Sequence, residues 1–368
     1  MTMKAEESPY SKENNMPLFK CQKTSMEKEI FEQSEIVQNI LDAYVWDNKN
    51  INIDIPENIN RVIIVASGSS YHCARFAADL FGSIANIEAS AIYSSEYLLK
   101  TKIADSTDIL YIFITQSGET TDTNSALIKA KEAGVKTLCI TNKENSSIWN
   151  AADYKIACHA GEEKSIAATK SLLSQMLCSL LVVLKFAQNK SIDVSNYVRD
   201  LNDIPDVIEK SFKLKQKIKL FAKFLSKHKS IIMSADGASY ALAKEASLKV
   251  KETSYINTSS YILGEFMHGH VAILNNKRSA LVYILNDELT YTAVKNLNYI
   301  KENYNPPICV IGSRTNQVKS TYNINIDCEK PIIKTFALLV IIQLLALETA
   351  LRLHRNVDKP HGLNKVVK

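Results

Sequence analysis

The sequence predicts an α/β protein of two tandem domains, each built on a doubly wound parallel sheet of the flavodoxin-like type. Three observations support this fold class. Short apolar runs rich in β-branched residues alternate with helical patterns along the chain. A length of 368 residues suits two cores better than one. The corner sequence at 66–71 returns at 235–240, an offset of 169 residues (235 minus 66), as expected of a duplicated domain.

In the first half of the chain, a helical pattern over 27–44 precedes the alternating region. The apolar runs predict strands at 61–66, 109–114, 135–140 and 154–158. Helical segments follow the first two of these strands, at 71–84 and 122–133. Because both faces of such strands carry apolar residues, we expect helices to cover the sheet on both sides.

The second half repeats the pattern. It predicts strands at 230–234, 280–285 and 308–311, with helices at 240–253 and from 334 onward. We therefore expect a mobile N-terminal tail at 1–25, a first domain at 26–205, a second at 206–352 and a C-terminal tail at 353–368. A polar helical region at 193–213 is the predicted linker.

Composition restricts the function and the location. The net charge of +5 is spread along the chain, and the Lys-rich stretch 213–229 fits the wet face of an amphipathic helix, so we expect no nucleic-acid partner. The seven cysteines include no C-x-x-C pair, which indicates buried thiols in a reducing compartment. The apolar run 336–353 is interrupted by charges and predicts a buried helix, not a membrane span. We expect a soluble, cytoplasmic protein.

Two hydroxyl-rich corners follow predicted strands, at 67–70 and at 115–120. In a parallel sheet, ligands bind beyond the carboxyl ends of the strands. Helix N-termini offer free N–H groups there, and Ser and Thr add O–H donors, which together suit a phosphate monoester. Simple N-capping by the same side chains is the alternative. The glycine patterns of nucleotide-binding loops are absent.

Three further groups of residues could carry chemistry. Glu245, Lys249 and Glu252 share one helical face, where a carboxylate could move a proton between two carbons; spacing alone favours a solvated ion pair. The segment 264–270 displays His268 between glycines, which suits ring opening of a sugar better than metal binding. The C-terminal Lys365 could serve as an amine or a cation, although a terminal tail is usually frayed.

Together these motifs resemble the sugar-isomerase (SIS) domain family, from about Met26 to the C-terminus. The chain is similar to the isomerase half of the glutamine–fructose-6-phosphate aminotransferases. The matching stretches are 27–33, 68–71, 116–123, 167–170, 248–256 and 264–269. No catalytic cysteine follows the initiator methionine, so the resemblance implies that glutamine is not the nitrogen donor.

Two stretches, 160–171 and 358–366, resemble the stand-alone SIS-type glucosamine-6-phosphate deaminases. Residues 116–120 keep the aminotransferase form. His270 replaces the proline that usually follows His-Gly in both groups. These departures leave the exact substrate open.

The resemblance also implies a role for each matching residue. Glu252 would carry the proton between C1 and C2, with help from Lys249. His268 would promote ring opening from a second subunit, which implies a homodimer with a shared site. Lys365 would contact the open-chain carbonyl and can form a Schiff base. The predicted substrate-binding residues are Ser69, Ser70, Thr115, Gln116, Ser117, Thr120, Ala168 and Asn364, with no metal and no cofactor.

The function predicted from the sequence is glucosamine-6-phosphate deamination, which gives fructose 6-phosphate and ammonia. A deglycase acting on a 6-phosphorylated fructose–amino acid adduct and a plain phosphosugar isomerase would use the same fold. A non-catalytic sugar-phosphate sensor is the alternative from another class, disfavoured because Glu252, His268 and Lys365 occur together.

Overall fold

A computed structural model describes residues 24–46, 49–275, 278–285, 290–313 and 315–366. The N-terminal tail predicted for 1–25 lies outside these ranges, except for Thr24 and Ser25 at the start of the first helix. Thr24 Oγ1 accepts the amide hydrogen of Glu27 at 3.1 Å. The first elements are α1 (Ser25–Phe31), α2 (Gln33–Tyr44), β1 (Val45–Trp46) and β2 (Asn50–Ile51). The helix predicted over 27–44 is thus two helices that meet at Glu32.

The first domain contains a five-stranded parallel sheet. Its elements are β3 (Arg61–Ala66), α3 (Gly68–Ala85), β4 (Glu88–Tyr93), α4 (Ser94–Leu99), β5 (Ile109–Thr115), α5 (Thr121–Glu132), β6 (Lys136–Thr141), α6 (Ser147–Ala151), β7 (Tyr154–Ala157) and α7 (Lys170–Asn189). The strand order is β4-β3-β5-β6-β7.

Three helices connect this domain to a second five-stranded parallel sheet. The elements are α8 (Ser195–Asp200), α9 (Ile204–Phe212), α10 (Lys215–Leu225), β8 (Ser230–Ala235), α11 (Tyr240–Ser254), β9 (Asn257–Ile262), α12 (Leu263–Phe266), β10 (Ser279–Leu285), α13 (Tyr291–Asn303), β11 (Ile308–Gly312), β12 (Tyr322–Asn325) and α14 (Pro331–Arg352). The strand order is β9-β8-β10-β11-β12.

The two sheets have the same topology. In each, the second strand along the chain lies at one edge, the first comes next, and the remaining three follow in order. The repeated corner lies after the first strand in both sheets, and Gly68 and Gly237 both adopt positive φ there, at 56° and 54°. The predicted fold class and the predicted repeat are therefore confirmed.

Three edge strands, β4, β9 and β12, are absent from the sequence prediction. A sheet edge is less buried than its centre, so these strands lack a continuous apolar run. In β4, exposed or partly exposed residues run along the whole strand, whereas every residue of the central strand β5 is buried. The prediction relied on apolar continuity and therefore identified mainly the inner strands.

Helices α7 and α14 form the centre of the core. Helix α7 packs on α3, and α14 packs on α9, α10 and α11. Both are long and apolar enough to cross a membrane, yet 89% of the most apolar window of each is buried inside the protein. The buried helix predicted over 336–353 is confirmed, with its start at Pro331. The described cysteines are unpaired, and all of them except Cys328 are buried.

The predicted linker differs from expectation. It is not simply polar: Val198, Ile204 and Ile208 are buried, and α9 packs on α2 and α14. The domain boundary predicted between 205 and 206 falls inside α9, because an amphipathic connection of this kind belongs to the core of both halves. The Lys-rich stretch does form an amphipathic helix, α10, with Ile218 and Phe221 buried.

Candidate active site

A cavity of about 850 Å³ opens beyond the carboxyl ends of β3 and β5. Helix α11 of the second domain and the C-terminal tail close its other sides. Every predicted site residue except His268 lines this cavity: Ser69, Ser70, Thr115, Gln116, Ser117, Thr120, Ala168, Lys249, Glu252, Asn364 and Lys365. Residues that are far apart in the sequence therefore share one space.

The loop after β5 is shaped for close approach by a ligand. Thr115 Oγ1 and Thr120 Oγ1 are 3.1 Å apart, and the Glu119 amide donates to Ser117 Oγ at 3.1 Å. The loop then enters α5, which has no side-chain cap on its first turn. Free N–H groups and hydroxyls therefore meet at one helix N-terminus, which is a favourable site for an anion.

Gly118 fixes the path of this loop. Its φ is +69°, and an added Cβ would lie 2.0 Å from Ser146 Oγ. We expect Gly118→Ala to displace the loop and to raise the KM for a sugar phosphate at least about tenfold, because a small misplacement of positioning groups has large effects. Gly134→Ala is the matched control, since Gly134 has a similar φ of +74° and open space around it, and it does not line the cavity. Equal effects of the two substitutions on KM would contradict this explanation.

The corner after β3 reaches both domains. Ser69 Oγ donates to Glu245 Oε1 at 3.2 Å, and Ser70 Oγ donates to Gln175 Oε1 at 2.9 Å. Glu245 belongs to α11 and Gln175 to α7. The first corner thus holds the second domain and the core helix next to the cavity.

The acidic face of α11 is buried. Glu245 and Lys249 are each 1% exposed, and Glu252 is 23% exposed at the cavity. Lys249 Nζ lies 2.5 Å from Glu252 Oε2 and 3.6 Å from Glu245 Oε1. The solvated ion pair that spacing alone favoured is therefore wrong, because α3 of the first domain covers this face of the helix.

Burial and pairing have opposite effects on these groups. Burial raises the pKa of Glu245, but Lys249 and His72 outweigh it and hold the pKa below its ordinary value. Burial lowers the pKa of Lys249, but the two carboxylates outweigh it and raise the pKa above its ordinary value. Both groups are therefore charged at neutral pH.

The C-terminal tail is tied to the protein rather than frayed. The Asp358 carboxylate accepts hydrogen bonds from the amides of Ser25 and Met26, both at 2.8 Å. Further along, the His361 amide donates to the hydroxyl of Tyr255 at 2.6 Å. These contacts hold the tail against the protein, and the residues that follow, 362–366, line the cavity.

Lys365 has a buried counter-ion. Its Nζ donates to the carboxylate of Glu163 and, at 2.8 Å, to the carbonyl oxygen of Ser165. Glu163 also accepts from the amide and hydroxyl of Ser171, at 3.0 and 2.6 Å. Burial raises the pKa of Glu163, but Lys365 and Ser171 outweigh it and hold the pKa below its ordinary value.

This depressed pKa makes stability depend on pH. The carboxyl of Glu163 ionises more readily in the folded chain than in the unfolded chain. Its contribution to the free energy of unfolding is therefore complete above the unfolded pKa, near 4.5, and is lost as the pH falls from there through the lower folded pKa. We expect Glu163→Gln to flatten the decrease in Tm between pH 5 and pH 3. Glu162→Gln, one residue away and 80% exposed, should leave the slope of Tm against pH unchanged. An unaltered slope in Glu163→Gln would contradict this prediction.

His268 lies outside the cavity. It is exposed, on the turn that follows α12, and the nearby rings of His270 and Tyr261 are 4.5 Å apart between centroids and tilted by 34°. The described residues contain no group of three or more His, Cys, Asp or Glu arranged to hold a metal ion. The role predicted for His268 therefore stays a prediction.

Sequence reasoning missed several residues of the site. Asp122 and Ile166 line the cavity, Glu163 pairs with Lys365, and His72 contacts Glu245. No period or spacing identifies a buried acid in a polar loop, so Glu163 could be found only from its tertiary partner. His72 lies within the helical pattern that follows the first corner, where it looks like an ordinary helical residue.

The comparison with known families agrees with the two-domain fold. A family model described as the SIS domain matches residues 57–185 and 224–352, one copy in each sheet domain. The chain belongs to the SIS domain family. The two matches coincide with the two halves that the strand order had already related.

Several relatives of known name are longer than this SIS chain. It is 34% identical over 359 residues to the glutamine–fructose-6-phosphate aminotransferase [isomerizing] of Campylobacter jejuni, which covers 93% of this chain. The counterpart in Clostridium tetani is 31% identical over 355 residues. The chain spans 58% of the length of each of these relatives.

Solved structures show the same fold. The C-terminal domain of glucosamine-fructose-6-phosphate aminotransferase from Francisella tularensis superposes with a TM-score of 0.86 at 26% identity, covering 92% of this chain and 99% of that one. The glucosamine-6-phosphate deaminase of Thermotoga maritima has a TM-score of 0.73 at 20% identity, over 94% and 99% of the two chains. At that identity the likeness shows the fold alone.

Proposed function

We propose that this SIS protein is an enzyme that moves a proton between C1 and C2 of a hexosamine 6-phosphate and releases the amine as ammonia. One observation carries the proposal. A carboxylate (Glu252) and an amine (Lys365) line the same cavity as the hydroxyl-rich loop at 115–120. An anion anchor, a base and a carbonyl-binding amine are the groups that this reaction needs.

In this proposal the phosphate binds to the loop after β5. Thr115, Gln116, Ser117 and Thr120 supply donors, and the N-terminus of α5 adds its dipole. The sugar then extends towards α11 and the C-terminal tail. Ser69, Ser70, Ala168 and Asn364 line that path.

The chemistry begins with the open-chain aldehyde of glucosamine 6-phosphate. Glu252 removes the proton from C2 and returns it to C1, while O1 gains one proton and the nitrogen loses one, so the C1 aldehyde becomes an alcohol and C2 becomes an imine. Water hydrolyses the imine to the ketone of fructose 6-phosphate and ammonia. Lys365 contacts the carbonyl, and Lys249 forms a short ion pair with Glu252.

A second copy of the chain completes the proposed site. His268 is exposed and does not line the cavity, so in this proposal it acts on the sugar ring from a partner subunit. We therefore propose a homodimer with shared sites. The relatives in Campylobacter jejuni and Clostridium tetani are named as isomerising enzymes, which supports the C1–C2 proton transfer rather than the fate of the nitrogen.

Ammonia release from glucosamine 6-phosphate by the purified protein tests this function. The matched substrates are fructose 6-phosphate with ammonia, a 6-phosphorylated fructose–amino acid adduct, and glucose 6-phosphate. Ammonia from glucosamine 6-phosphate supports deamination. Release of the amino acid from the adduct would instead indicate a deglycase. Formation of a ketose phosphate from glucose 6-phosphate would indicate an isomerase. Thermal stabilisation by every sugar phosphate without turnover of any would indicate a sensor.

A further inference from the structure

One histidine of the first domain is in contact with the acidic face of α11. His72 lies on α3, and its side chain is 10% exposed. Its Nδ1 is 2.6 Å from Oε2 of Glu245, which is 1% exposed. His72 does not line the cavity, so this contact belongs to the support of the site rather than to its surface.

From His72 a continuous line of polar contacts leads to Glu252. Glu245 is 3.6 Å from Lys249 Nζ, and Lys249 Nζ is 2.5 Å from Glu252 Oε2. One buried ammonium is thus shared by two carboxylates and lies closer to the one at the cavity. The position of Lys249 between the two carboxylates depends on the other hydrogen-bonding partners of Glu245.

Each oxygen of Glu245 has a hydrogen-bonding partner besides Lys249, whereas Lys249 supplies the compensating charge. Ser69 donates to Oε1 at 3.2 Å, and His72 contacts Oε2. A buried carboxylate that loses such partners must find another cation or hydrogen-bond donor, since an unpaired buried charge is very costly. The nearest cation is Lys249. Without His72, Glu245 would therefore draw Lys249 away from Glu252.

Ser69 and His72 differ in one respect. Ser69 lines the cavity and can turn its hydroxyl to a bound sugar, whereas His72 is outside it. When substrate occupies the site, His72 is the partner that still holds Glu245. The other charged group that acts on Lys249 is Glu163, through space.

We infer that His72 is a positioning residue for the proton transfer: it holds Glu245 so that Lys249 stays paired with Glu252. The inference rests on the proposed function, because the group that His72 positions indirectly is the proposed base, Glu252. It requires only a donor at Nδ1, which both the imidazolium and one neutral tautomer provide. It links the catalytic helix of the second domain to the substrate corner of the first.

Two substitutions of similar size separate this role from simple packing. His72→Asn places an amide nitrogen near the position of Nδ1 and keeps a donor. His72→Leu keeps similar volume without a donor. We expect His72→Leu to lower kcat for proton exchange at the sugar about 10- to 100-fold, with KM within about threefold, and His72→Asn to recover most of kcat. A KM effect alone, or equal kcat in both variants, would overturn the inference.

The inference can be tested separately from the proposed function. In a Glu245→Gln background no carboxylate competes for Lys249, so adding His72→Leu should change kcat less than twofold. A crystal structure of His72→Leu tests the contact without turnover. Lys249 nearer to Glu245 than to Glu252 supports the inference, and Lys249 unmoved overturns it. Wild-type protein inactive on every sugar phosphate would overturn the proposed function separately.

Discussion

Glu252→Gln is expected to reduce proton exchange at C1 of fructose 6-phosphate by a factor of about 10² to 10⁴, the usual contribution of a general base. The amide has the shape of the carboxylate but cannot accept the proton. Because Glu252 is at the cavity wall and 23% exposed, the substitution should leave the fold and the affinity for the sugar phosphate nearly unchanged. Deuterium incorporation in D₂O, followed by proton NMR, measures the exchange directly and does not depend on the fate of the nitrogen.

The matched control for this variant is Glu302→Gln. Glu302 is exposed on α13, an element that does not line the cavity. The Glu302→Gln variant should exchange the C1 proton of fructose 6-phosphate at the wild-type rate. Exchange in Glu252→Gln within threefold of wild type would remove Glu252 from the mechanism and leave the phosphate loop as the only supported part of the site.

Lys249→Met is expected to lower the free energy of unfolding by about 3–5 kcal/mol, the range found when one partner of a buried ion pair is removed. The substitution removes the ammonium that compensates the charge of the buried Glu245 and that forms the short ion pair with Glu252. A shift in the urea midpoint, measured by circular dichroism, reports the loss. The charge of Glu245, not the volume of the side chain, is the expected cause.

Two further variants test that cause. Lys251→Met makes the same chemical change on the same helix at an exposed position, and we expect a shift below about 0.5 kcal/mol. Adding Glu245→Gln to Lys249→Met should recover part of the lost stability, since the uncompensated charge is gone. A double variant less stable than Lys249→Met alone would show that packing, rather than charge, is responsible.

The sequence predicted the architecture well because central parallel strands have a distinct composition. Runs such as 61–66 and 109–114 are apolar on both faces, and the structure places them in adjacent strands. The edge strands have no comparable pattern. Strand β9, Asn257–Ile262, is mostly polar and partly exposed, so only its pairing with β8 identifies it as a strand.

The sequence by itself determined the two parallel-sheet domains, their repeated corner and the hydroxyl-rich loop at 115–120, because all of these are local patterns of polarity and spacing. Only the tertiary structure decided the state of the charged groups. It buried Glu245 and Lys249 beneath α3, paired Lys365 with Glu163, and placed His72 on Glu245. Burial and pairing depend on which segments meet in space. Burying a carboxylate removes it from water, which raises its pKa unless a cation or a hydrogen-bond donor compensates.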